Sequence, residues 1–169
     1  MTAVMTVFTR IPVVYGYFNL GDVVVLLAGV LFGGFTGAFA GAVGSAFADI
    51  IGGAYIFAPI TFVVKGLEGY AAGRISGGGI AGNSGIGRIS RRISGAGSEG
   101  GNITPALAIG AGIMVAGFFI AEATVLSLFD RAFGFGAAIA ELPFNLAQGV
   151  ISAALTRIAV EGLKKTRII

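Results

Sequence analysis

The chain is 169 residues long, 56% of them hydrophobic and only 11% charged, with a mean hydropathy of +0.94. A soluble domain keeps roughly a quarter of its residues charged, so the outer surface of this one faces lipid. The absence of both Cys and His excludes disulfides, thiolate metal sites and the usual imidazole ligand or general base.

In chain order, Met1 to Ile11 is apolar and helix-compatible, but eleven residues rise only about 16 Å, half of a bilayer core. No basic residue precedes it, as a signal peptide would require, so it reads as the outer half of a first helix whose beginning is missing. Val23–Ala48 runs 26 residues without a charge between Asp22 and Asp49. That length fits one tilted helix, or two short ones broken at Gly33-Gly34. Ala54–Gly73 is a further span of membrane length, carrying Lys65 and Glu68. Arg74–Ile103 is Gly/Ser-rich, holds Arg74, Arg88, Arg91 and Arg92, and predicts a flexible loop outside the bilayer. Thr104 and Pro105 open a span reaching about Leu128, with proline in the first turn as a helix start allows. After a polar break at Asp130-Arg131, Gly136–Ile158 forms the last span and leads into a basic tail of Lys164, Lys165 and Arg167.

The net charge of +3 and pI near 9.6 would suit nucleic acid, but the basic residues follow a membrane topology instead. The Arg74–Ile103 loop and the segment from Arg157 onward hold eight of the eleven Lys and Arg residues, which puts both on the cytoplasmic side. The Asp49–Ala54 and Asp130–Arg131 turns are then external. A hairpin at Gly33-Gly34 gives six helices with Met1 cytoplasmic; a single helix gives five with Met1 outside.

Ionisable groups inside a span are costly unless paired or facing a cavity, so each is a functional candidate. At 1.5 Å per residue, Lys65 lies about 10 Å below the external end of its helix and Glu68 one turn deeper. Glu122, Glu141, Asn145 and Gln148 also fall in the outer half, as do Asp22 and Asp49 in the hairpin reading. Such a convergence suits an outward-facing pocket for a small polar molecule. Plainer readings stand beside it. Lys65 and Glu68, spaced i, i+3, would neutralise each other. Asp22 would cap its helix, Asn145 and Gln148 would bond helices together, and Glu141, just before Pro143, would serve a helix N-terminus through the dipole, the reading preferred for that residue. Gly33, Gly37, Gly41 and Ser45 form a small-residue stripe for close helix packing or for a partner face. Gly95–Gly100 fits a G-x-G-x-x-G pattern, but no strand or βαβ unit surrounds it. No Walker A sequence occurs, so energy for any ATP-driven step comes from a partner.

Several ordered segments carry a family resemblance. Gly16-Tyr-Phe-Asn-Leu-Gly-Asp22 resembles the loop before the second helix in substrate-binding S components of energy-coupling-factor (ECF) transporters, and the run Leu31–Asp49 resembles the segment that follows it. Ala58-Pro-Ile-Thr-Phe-Val-Val-Lys-Gly-Leu-Glu-Gly69 looks like the fourth helix of that family, and Leu142-Pro-Phe-Asn-Leu-Ala-Gln-Gly149 like its sixth. The likeness is strongest to the hydroxymethylpyrimidine, pyridoxine and riboflavin group.

The resemblance implies an all-α integral membrane bundle of six transmembrane helices, hence the hairpin reading, in a single domain with its first helix truncated. It implies vitamin capture outside a prokaryotic cytoplasmic membrane, both termini cytoplasmic, under a lid formed by Pro12–Asn19. A transmembrane coupling subunit and two ATPase subunits would then drive uptake. Of the alanine-spaced docking face on the first helix only Ala3 remains, and the Gly/Ser/Arg loop is longer than the family leads one to expect. The resulting expectation is binding without catalysis, metal, cofactor or nucleic acid. Asp22, Lys65, Glu68, Asn145 and Gln148 would contact a heteroaromatic ligand, Tyr15, Tyr17 and Asn19 would close over it, and Glu122 would contribute. The rivals are a stand-alone proton-coupled carrier using Lys65, Glu68 and Glu122, an intramembrane enzyme, and a purely structural membrane protein.

Overall fold

Residues 1–77 and 103–166 are described by the computed structural model, and six α-helices account for most of them. Residues 78–102 and 167–169 lie outside the described residues, and with them the Arg88, Arg91 and Arg92 group, the Gly95–Gly100 motif and Arg167. The helices are α1 (Thr2–Phe8), α2 (Gly21–Phe32), α3 (Gly34–Ile51), α4 (Ala58–Ile75), α5 (Thr104–Ile120) and α6 (Phe135–Lys165). Between α1 and α2 the chain forms a short antiparallel ribbon, β1 (Ile11–Pro12) with β2 (Tyr17–Phe18), in which Ile11 faces Phe18 and Pro12 faces Tyr17.

The uncharged run from Val23 to Ala48 is two helices. Gly33 sits between them at φ 97°, ψ 170°, a backbone conformation that a side chain would strain. The Gly33 N–H still closes the last turn of α2 on the Gly29 carbonyl at 2.8 Å, and the Gly33 carbonyl accepts the first α3 bond from Gly37 at 3.0 Å. One residue thus reverses the chain with no loop. Prolines stand at the starts of α4 and α5, where the missing N–H costs nothing. Pro143 lies inside α6 without ending it.

Some boundaries differ from those expected of the sequence. α1 stops at Phe8 and Ile11–Pro12 is extended, because Leu20 N–H reaches back to the Thr9 hydroxyl at 2.8 Å and folds the ribbon over the bundle. α4 begins at Ala58, after a turn through Gly53 at φ 76°. It also runs past Gly73 through Arg74 and Ile75, so the expected loop starts later than Arg74. The chain end of α5 is not regular: Ala121–Val125 is a π-helical turn and Leu126–Leu128 a 3₁₀ turn.

Helix directions define two ends. α2, α4 and α6 start, and α3 and α5 finish, beneath the ribbon. The opposite end carries Gly33, Arg74, Thr104 and the Lys164-Lys165 tail of α6. Toward this basic end the helices meet almost backbone to backbone. A Cβ on Gly37 would overlap the Gly69 carbonyl, one on Gly29 would lie 2.6 Å from that same oxygen, and one on Gly41 would overlap the Lys65 carbonyl. Leu26, Val30, Leu31, Ala72, Ile103, Leu107 and Val160 fill the remaining space as a single apolar cluster. The outside is apolar as well: Phe35, Phe39, Phe47, Phe62, Val150 and Ile158 are all exposed. Gly34–Ile51, Thr104–Leu128 and Phe135–Lys165 are each long and apolar enough to cross a membrane. The architecture is an all-α membrane bundle, with its buried polar groups gathered at the ribbon end.

Candidate functional site

Lys65 sits two turns into α4 and is 3% exposed. Its ammonium group donates a hydrogen bond to Asp22 Oδ1, from the first turn of α2, and lies 3.3 Å from Glu68 Oε2. The other Asp22 oxygen accepts from Gln148 Nε2 on α6 at 2.9 Å. Gln148 Oε1 in turn accepts the Asn19 backbone N–H at 2.8 Å, and Asn19 Oδ1 accepts from Gly21 N–H at 2.8 Å to open α2. Four elements are therefore tied into one buried network around a single cation. Lys65 also lies 5.4 Å from the centroid of the Phe118 ring on α5, within the range of a cation–π attraction.

The ribbon is held down from two sides. Glu141 Oε1 on α6 accepts the backbone N–H groups of Tyr15 and of Gly16, the latter at 3.0 Å. On the far side the Arg10 guanidinium lies 3.6 Å over the Tyr17 ring and donates to the Gly52 carbonyl at 2.9 Å. A carboxylate accepting two main-chain N–H groups fixes a loop more firmly than neutral bonds do.

Beneath the ribbon lies a small cavity of about 40 Å³. Its walls come from α1 (Thr6), the ribbon segment (Gly16, Tyr17, Asn19), α3 (Ser45, Asp49), Phe57 and Thr61, Lys65 on α4, Phe118 and Glu122 near the π turn, and Glu141, Asn145 and Gln148 on α6. Several of these polar atoms have no hydrogen bond of normal geometry: both oxygens of Asp49, Glu122 Oε2 and Thr6 Oγ1; behind the wall, Glu68 is held only by its 3.3 Å ion pair with Lys65. Buried polar atoms are nearly always satisfied. A cluster of exceptions around one cavity therefore marks a place where something else supplies the partners. The π turn contributes directly, because it is the first turn of this irregular segment that carries Glu122 into the bundle at 3% exposure; such turns are common at functional sites.

The structure places the residues singled out from sequence as follows. Tyr17, Asn19, Lys65, Glu122, Asn145 and Gln148 all line the cavity, and Asp22 and Glu68 stand behind it as the partners of Lys65. Tyr15 reaches the site through its main chain alone; the residue is 41% exposed, and its ring lies 6.0 Å from that of Phe133. Gly37 and Gly41 pack against α4 as described, and Ser45 continues the same face of α3 up to the cavity wall. Gly33 forms the elbow.

Two acids outside that set belong to the site. Asp49 is one further turn along the Gly37, Gly41, Ser45 face, a spacing readable from the sequence. Glu141 is a correction: it does not serve a helix N-terminus, since α6 starts at Phe135 and the carboxylate is spent on the ribbon. Its partners are more than a hundred residues away, and no local signal announces them. A second concavity, a groove of about 900 Å³ between α5 and α6, is apolar except for Thr104 and Arg157 at one end. It opens sideways toward lipid, and its polar groups sit at one end only.

Comparison with known proteins bears on the same residues. The model of a family described as "ECF-type riboflavin transporter, S component" matches residues 1–165. A curated protein from Pyrococcus woesei, described as an uncharacterized protein in gap 3′ region, is 46% identical over 88 residues, which are 51% of this chain and 56% of that protein. The chain thus matches little more than half the length of this relative.

Proposed function

The chain belongs to the family of S components of ECF-type riboflavin transporters, and on that premise we propose that its closed polar cavity captures a vitamin or vitamin precursor for import. The family is a transporter component and not a class of enzyme. The observation that carries the proposal is the coincidence of one cavity with one lid. Asn19, Asn145, Gln148 and Lys65 offer donors and acceptors, Tyr17, Phe57 and Phe118 offer ring faces, and the Pro12–Asn19 segment closes above them. A mixed set of this kind suits a heteroaromatic molecule with ring nitrogens and hydroxyl or amine substituents.

The cavity of about 40 Å³ holds little more than a water molecule, so the ligand enters by displacing the ribbon. Glu141 and Arg10 are the two anchors that must yield. In this account the ribbon end faces outward and the basic end, with Arg74, Lys164 and Lys165, faces the cytoplasm, in keeping with the distribution of positive charge. The C-terminal end of α6 is then cytoplasmic, while α1 packs in the ribbon half with Thr2 beside Gly44. A transmembrane coupling subunit and two ATPase subunits supply the energy. Hydroxymethylpyrimidine, pyridoxine and riboflavin are the candidate ligands.

A second reading, a stand-alone proton-coupled carrier, draws on the buried acids Glu68, paired with Lys65, and Glu122, whose Oε2 has no hydrogen-bond partner. Calorimetric titration of the purified protein with the three candidates, together with uptake by cells with and without the ATPase subunits, separates the two. Saturable binding and ATPase-dependent uptake support the S-component reading. Uptake that follows an imposed proton gradient in the absence of the ATPases supports the carrier.

A further inference from the structure

The acids of the site outnumber its bases. Asp22, Asp49, Glu68, Glu122 and Glu141 converge on the cavity or on Lys65, whereas Lys65 and Arg10 are the cations near them among the described residues. Lys65 is already committed to Asp22 and Glu68, and Arg10 to Gly52 and the Tyr17 ring. Glu141 is committed to two ribbon N–H groups. Asp49 and Glu122 remain. They approach from different helices, α3 and the π turn after α5, and are 0% and 3% exposed. Neither Asp49 oxygen receives a hydrogen bond of normal geometry, although Thr61, Arg10 and Lys65 lie around it. Glu122 Oε2 is also unpartnered, and another acid, Glu141, lines the same cavity.

Two buried acids that face one cavity with three of their four oxygens lacking a hydrogen bond of normal geometry are costly as they stand. The cost is relieved by a ligand that brings what the walls lack, namely N–H donors and positive charge. An anionic ligand would add repulsion to three wall carboxylates, Asp49, Glu122 and Glu141. A neutral ligand such as a flavin ring brings a single ring N–H donor and no positive charge, too little for both acids.

Resting on the transporter reading above, we propose that the cavity selects a cationic heteroaromatic ligand, one carrying a protonated amine or amidine that is held between Asp49 and Glu122. Phe118 and Phe57, both on the cavity wall, provide ring faces for such a cation. Lys65, neutralised by Asp22 and Glu68, presents its remaining N–H to a ring nitrogen or hydroxyl and not a charge to an anion.

Matched ligands test this on the wild-type protein by calorimetry. Pyridoxamine and pyridoxine differ only in an aminomethyl against a hydroxymethyl group. The same exchange relates 4-amino-5-aminomethyl-2-methylpyrimidine to 4-amino-5-hydroxymethyl-2-methylpyrimidine, and riboflavin completes the panel. At least one aminomethyl compound is expected to bind about tenfold or more tightly than its hydroxymethyl partner, the scale of a charge-assisted bond to a buried acid. Asp49→Asn and Glu122→Gln should each shrink that ratio toward one. Because the ratio is read within a single preparation, loss of active protein in a variant does not distort it, and the wild-type ratio stands without any variant. Equal binding within both pairs, or tighter binding of riboflavin than of any amine, overturns this inference and leaves the transporter reading intact. Failure of all five to bind overturns both.

Discussion

The two ends of the bundle are built on opposite rules from the same helices. At the basic end, α3 and α4 touch through glycines, no side chain separates Gly37 from Gly69, and the apolar cluster around Leu26 and Val30 is closed. At the ribbon end the same face of α3 continues two and three turns further as Ser45 and Asp49, and there the helices part around unsatisfied acids. Close backbone approach is a source of stability in lipid, where no hydrophobic force drives one helix onto another. Unpaired buried carboxylates oppose stability. The contrast indicates that the basic end holds the helices together so that the ribbon end can carry polar groups for a ligand.

That division can be broken most severely at Lys65. Lys65→Met leaves Asp22 and Glu68 buried without their cation, and breaking a buried pair in this way costs about 3–5 kcal/mol; thermal unfolding in detergent should show it as the largest loss of the series. Asp22→Asn combined with Lys65→Met should recover part of that loss. Gly37→Leu strikes the other end. It forces α3 from α4, and overpacking of this kind costs about 1–3 kcal/mol. Its signature is reduced stability with unchanged ligand affinity in the molecules that remain folded. Unfolded-state effects aside, a large affinity change at Gly37 would erase the distinction between the two ends.

Glu141→Gln is a milder probe and sharpens the comparison. One amide oxygen remains to receive the Tyr15 and Gly16 N–H groups, but the charge is gone, which is worth about 1 kcal/mol. Hydrogen exchange at those two amides should quicken by about fivefold, while amides in α3 near Gly37 are unaffected. The smallest effect is expected at Glu161, whose pair with Arg157 is mostly solvent-exposed with side chains at 61% and 53%. Glu161→Ala should change stability by less than about 0.5 kcal/mol.

How much of this was legible in the sequence follows the same divide. The basic end was readable because its signals are local: a glycine at an uncharged midpoint, small residues every four positions on α3, a proline at the start of α5. The ordered family segments then favoured the hairpin over a single long helix. At the ribbon end, residue types were readable but partners were not. Lys65 pairs with Glu68, one of the two readings that their i, i+3 spacing left open; its hydrogen bond to Asp22 crosses 43 residues and had no signal. Glu141 was misassigned because Pro143 suggested a helix start, whereas α6 accommodates that proline in its interior. The π turn that carries Glu122 inward has no sequence signature in Ala121–Val125. The two-strand ribbon was anticipated as a lid but not as a ribbon, since two residues per strand are too few to show alternation.

The measurement that bears most directly on the ribbon-end site is mass spectrometry of small molecules released from the detergent-purified protein. Three samples are compared: wild type, a Lys65→Ala/Asn145→Ala variant altered in the cavity, and an Ala111→Trp variant that blocks the groove between α5 and α6. The account predicts a vitamin or vitamin precursor in the wild type and the groove variant, and none in the cavity variant. A ligand that survives in the cavity variant but is lost from Ala111→Trp would contradict it, and would move the binding site out of the polar end altogether.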